Sequence, residues 1–180
     1  MTINKTHQSN DLITLFNDLF APSFQTRLVS GSGEPLYLPA TNRRDCHQVV
    51  FAHGFFRSAL HEIAHWCIAG KVRRQLADYG YWYKPDGRNL EEQLRFQQAE
   101  LKPQALEWWF CLCAGHSFEV SCDNLAASDP DAIDVAGFAE QVRQQLINYR
   151  SSRLPPRAEA FAIVLQSFYG QSCPRLAEVA

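Results

Sequence analysis

Two histidines four residues apart, with a glutamate after the first, constrain this chain more than any other feature: His61-Glu62-Ile63-Ala64-His65. The H-E-x-x-H spacing carries chemistry only on a helix. There, positions i and i+4 share one face about 6 Å apart, so two imidazoles can converge on one ion while the glutamate reaches toward a metal-bound water. At this chain's own His and Glu frequencies, the expected number of chance matches is on the order of 0.01. At ~100° per residue from His61, His65 falls near 40°, Val72 near 20°, Leu76 near 60° and Ile68 near 340°. The histidines are therefore expected on a stripe that Ile68, Val72 and Leu76 continue into the interior. An unsatisfied buried polar group costs ~1–3 kcal/mol, and a metal satisfies both rings at once. The plainer alternative is a pair of core histidines bonded to carbonyls.

A catalytic metal site takes three protein ligands and leaves positions open. Ile68 and Lys71 stand where the H-E-x-x-H-x-x-G-x-x-H arrangement needs its Gly and third His, which excludes that class. The downstream carboxylates Glu91, Glu92, Glu100 and Glu107 are all candidates, and spacing does not choose among them. His53 and His116 are either pocket residues or ordinary packed or exposed ones. Lys71, Arg73 and Arg74 are expected to complement the C-terminal end of the metal helix, where cations are favoured by ~0.3–1 kcal/mol. Docking an acidic partner is the other use for them. Tyr79, Tyr81, Trp82 and Tyr83 line a substrate mouth or join the core.

The surrounding pattern reads as one α+β domain over residues 1–180, helix-rich with a few short strands. Its length suits a single domain. Apolar periodicity predicts a helix over 11–20 capped by Asn10 or Asp11, a helix over 58–79 stopped by Gly80, and helices over 90–100, 131–149 and 156–169. Pro103 fits the first turn of a separate helix over 103–114. Short strands are expected at 36–38, 49–52 and 118–121, with turns over the rest of 24–38. Pro85-Asp86-Gly87 is a turn signal, because Gly tolerates positive φ.

Hydrophobic residues are 46% and charged residues 20% of 180, ordinary globular usage. The formal net charge of −2 provides no field to recruit nucleic acid. No window reaches the ~18–20 apolar residues of a membrane helix, and the N-terminus lacks the apolar core of a secretory signal. A cytoplasmic protein with six reduced thiols is the expectation. Cys111-Leu-Cys113 is read as buried small apolar side chains rather than a metal pair.

Several further stretches bear a resemblance. They are Glu34-Pro35-Leu36-Tyr37-Leu38-Pro39-Ala40, Val50-Phe51-Ala52-His53-Gly54-Phe55, Gly80-Tyr81-Trp82-Tyr83 with Pro85-Asp86-Gly87-Arg88, Glu100-Leu101-Lys102-Pro103-Gln104-Ala105-Leu106, and Ser121-Cys122-Asp123-Asn124-Leu125. Taken in order with the H-E-x-x-H helix, over about residues 11–170, the chain resembles the elongation factor P hydroxylase family. The resemblance implies a non-haem iron monooxygenase, with Fe(II) as cofactor and O2 as co-substrate. Its implied partner is elongation factor P, hydroxylated on a lysine that already carries a β-lysyl extension. It implies His61, His65 and Glu100 as metal ligands, and a fold like the core of zinc metallopeptidases.

Two histidines and a carboxylate suit Fe(II) and O2 chemistry as readily as zinc hydrolysis. In the hydroxylase reading, Glu62 is the catalytic neighbour of the ligands, a proton-transfer or supporting group. The chain has no His-x-Asp pair, so 2-oxoglutarate is not expected. The competing enzyme is a zinc peptidase with Glu62 as general base. A third reading, from another class, is a non-catalytic translation-factor binding protein with a structural metal.

Overall fold

The computed structural model describes residues 6–77, 86–124, 126 and 133–172. The described residues form five helices and a small three-stranded sheet: α1 (Ser9–Phe24), β1 (Thr26–Gly31), β2 (Leu36–Leu38), β3 (His47–Ala52), α2 (Phe56–Ile68), α3 (Leu90–Ala114), α4 (Val135–Ser151) and α5 (Pro156–Tyr169). The class is α+β, as the sequence predicts. No helix among the described residues is long and apolar enough to cross a membrane.

The sheet order is β1-β3-β2, with β1 parallel and β2 antiparallel to the central β3. Strand β1 lies where the sequence suggests only turns. Its burial alternates along Thr26, Arg27 and Leu28, but the polar residues and flanking Gly31 and Gly33 mask the two-residue period. Residues 118–121 form no strand. Their backbone is held by side chains instead, Gln104 pairing with both the N–H and the C=O of Ser121 at 3.0 and 2.7 Å.

Helix α1 is longer than predicted. It starts after Gln8, which makes no side-chain cap, so neither Asn10 nor Asp11 caps it. Helices α4 and α5 fall near the predicted spans. Asp134 caps α4 through the Gly137 N–H, while Asp131 lies outside the described residues, as do Tyr79, Gly80, Tyr81, Trp82 and Tyr83.

Helix α3 is one continuous 25-residue helix, not two helices broken at Pro103. A capping box opens it: Asn89 accepts from the Glu92 N–H, and Glu92 accepts from the Asn89 N–H. Gly115, at φ 68°, closes it. Pro103 removes only one ladder bond, while the turns beyond it are buried nearly all round, with Leu106, Trp109, Phe110 and Cys113 in the core. Packing outweighs the local break, since α3 is the central helix, touching α2, α4 and α5.

Helix α2 ends at Ile68, eleven residues before the predicted last helical residue, Tyr79. Ala69 leaves the helical region at ψ 124°, and Arg73–Gln75 is a short 3-10 turn. The true stop signal is Ala69-Gly70. The carbonyls this exposes at Trp66, Cys67 and Ala69 accept from the Arg157 guanidinium at 2.9, 3.0 and 2.6 Å. A distant arginine on α5 thus does what Lys71, Arg73 and Arg74 were expected to do. The inward stripe is also corrected: Val72 is 80% and Leu76 59% exposed.

Candidate metal centre

The core face of α2 carries Ala59, Leu60, Ile63, Ala64 and Cys67, all buried. His61 and His65 occupy the other side, facing α3 and two clefts rather than the hydrophobic interior. Their Nε2 atoms lie 3.0 Å apart. Each is 3.3 Å from a different oxygen of Glu100, one on Oε2 and one on Oε1. Glu100 is 3% exposed, projecting from α3 between the two rings. Among the described residues these three form the one group of ligand-type side chains, with donor atoms within 4.8 Å of one another.

The spacing has a direct coordination meaning. Two donors each ~2.1 Å from one ion, subtending ~90–110°, are ~3.0–3.4 Å apart. The observed separations of 3.0 and 3.3 Å are the edges of such a polyhedron. Two imidazole nitrogens and a carboxylate on one side of an ion leave other positions open. The residues fit a divalent metal.

Electrostatics agrees. Burial disfavours charge on His61, but the Glu100 and Glu107 carboxylates outweigh it and raise that imidazolium well above its ordinary range. Burial likewise opposes the Glu100 carboxylate, yet His65 and His61 hold it well below the usual range. Positive charge is favoured between these groups.

Of the four candidate carboxylates, two reach the site. Glu107 Oε2 accepts from His61 Nδ1 at 3.0 Å, which leaves Nε2 as the nitrogen turned toward Glu100 and His65 and able to ligate. Arg57 in turn donates Nε and Nη2 to Glu107 Oε1 at 3.0 and 2.9 Å. Glu91 instead pairs with Arg95 on the surface, and Glu92 belongs to the capping box. Neither His53 nor His116 joins the centre: His53 is an exposed turn residue at φ 52°, and His116 stacks on Phe56, centroids 5.1 Å apart. All five described cysteines are free. Burial pushes the thiols of Cys67 and Cys111 up, and neither joins the group formed by His61, His65 and Glu100.

The sequence reading missed Arg57 and the role of Glu107. Both were findable, because Arg57 lies one turn before His61, and Glu107 lies seven residues from Glu100 on the same helix face.

Glu62, His65 and Glu100 line two clefts, of about 350 and 460 Å³, that meet at the centre. The smaller is bordered by Tyr37, Trp66, Arg73, Arg74 and Lys102. The larger is bordered by Phe55, Arg57, Phe96, Gln104 and Asp123.

Fold and centre together define a helical α+β protein in which two histidines of an H-E-x-x-H helix and a carboxylate of α3 form a 2-His-1-carboxylate group. The sequence pattern of the elongation factor P hydroxylase family matches residues 15–179, and the chain belongs to that family. It is also 46% identical, over 163 residues, to the elongation factor P lysine hydroxylase of Haemophilus influenzae; the match covers 91% of this chain and 90% of that one.

Proposed function

We propose that this chain is a single-domain, cytoplasmic monooxygenase that hydroxylates a lysine side chain of elongation factor P, one already extended by β-lysine. The observation that carries the reading is the convergence of His61, His65 and Glu100 within 4.8 Å, in a chain of this family. These residues would hold Fe(II), which supplies the activation of O2 needed to put one oxygen atom into a C–H bond.

The chain's own residues do the rest. Glu107 holds His61 in one tautomer and orientation, and Arg57 holds Glu107. Glu62 follows His61 directly in the chain and lines both clefts, where a carboxylate can take or give a proton beside the reacting carbon. The clefts bring a side chain to the donor set while α3 closes its far side.

Mass spectrometry of elongation factor P after incubation with the iron-loaded protein, O2 and a two-electron reductant such as ascorbate, the second oxygen atom leaving as water, tests this. A gain of about 16 Da, one oxygen, that vanishes with His61→Ala supports the proposal; zinc as the bound metal with cleavage of peptide substrates overturns it.

A further inference from the structure

The segment Ser121-Cys122-Asp123-Asn124 is anchored more heavily than an ordinary loop. Arg88, only 2% exposed, donates to the carbonyls of Cys122 (3.0 Å) and Asp123, and its Nε to Gln93 Oε1 at 2.9 Å. Gln93 bonds the Cys122 carbonyl at 2.9 Å, and Gln104 grips Ser121. Asn124 exchanges two hydrogen bonds with the Arg88 backbone, at 2.9 and 3.0 Å. What this framework presents is Asp123, a non-glycine residue in the left-handed region at φ 43°. Asp123 lines the same cleft as His61, His65 and Glu100.

The carboxylates of that cleft differ in their commitments. Glu107 is engaged by Arg57 and His61, and Glu100 by both histidines. Among the described residues, the Asp123 carboxylate takes no hydrogen bond or ion pair. Partial desolvation raises its carboxyl, opposed by Arg88 and His61 and reinforced by Asp86 and Glu34. A carboxylate in that setting gains from an incoming cation.

Resting on the proposed function, we propose that Asp123 is the specificity residue that receives an ammonium group of the substrate's lysine-type side chain. A cationic chain entering the cleft needs a counter-charge to hold its amine away from the ion, where a free amine would itself be a ligand. Asp123 supplies it from the wall, and the buried Arg88 framework fixes where that charge stands.

Asp123→Asn removes the charge and keeps the turn, because Asn tolerates positive φ as Asp does. With iron-loaded protein, this variant should keep its iron content and raise KM for elongation factor P roughly 10- to 100-fold, the loss expected for a charge-assisted contact. Asp123→Glu should recover part of it. Calorimetry provides a reading independent of turnover: 1,5-diaminopentane should bind the iron-loaded wild type, 1-pentanol should not, and Asp123→Asn should lose the distinction. Unchanged KM and unchanged diamine binding in Asp123→Asn overturn the proposal. A wild type that leaves elongation factor P unmodified, yet binds the diamine through Asp123, overturns the proposed function alone.

Discussion

His61 is held from behind by Glu107, with Nδ1 and Oε2 3.0 Å apart, while its other nitrogen faces Glu100. One ring thereby joins two carboxylates of α3. The arrangement leaves Nε2 as the nitrogen turned toward the donor group, and it places Glu107 beside that group as a partner of His61.

Glu107→Gln should therefore weaken iron binding about 10- to 100-fold, as losses of outer partners of metal-bound histidines do. Glu107→Ala should in addition destabilise the protein by ~1–3 kcal/mol, because Arg57 and His61 lose a buried partner. Iron titration and urea unfolding measure the two effects separately.

Glu62→Gln should lower turnover by about 100-fold or more while leaving iron stoichiometry near that of the wild type. Loss of the iron in this variant would make Glu62 a ligand instead.

Glu100→Ala should abolish iron binding and oxygen insertion yet retain the helical circular dichroism of the wild type. An unfolded variant would favour a structural metal. Conversely, iron at ~100 times its Kd should stabilise the wild type by about 2.7 kcal/mol, a rise in Tm of roughly 5–10 °C that a chelator reverses.

Arg157→Ala should cost about 2–3 kcal/mol in unfolding free energy, since the carbonyls ending α2 lose their donor and Trp66 loses a guanidinium 4.7 Å from its ring. Arg73→Ala, at an exposed position, should stay within about 0.5 kcal/mol of the wild type.

The H-E-x-x-H helix was legible because its signal is local: five consecutive residues and one helical period. Glu100 was not, since nothing in spacing separates it from Glu91, Glu92 or Glu107; only the family resemblance singled it out. The length of α2 was misread because its apolar period runs on through Val72 and Leu76, while the stop depends on Gly70 and on Arg157, 88 residues beyond the Ala69 carbonyl it binds. Helix α3 was misread in the opposite sense. Pro103 is a local breaker, and the packing that overrides it comes from three other helices.

Because the histidines belong to α2 and both carboxylates to α3, the donor set spans the seam between two helices. Sliding one helix past the other by a single residue, ~1.5 Å along the axis and ~100° around it, would part Glu100 from both rings and Glu107 from His61 together. In the proposed reading, metal affinity is thus a gauge of interhelical alignment, and substitutions deep in that seam, touching none of the three donor residues, should register in it.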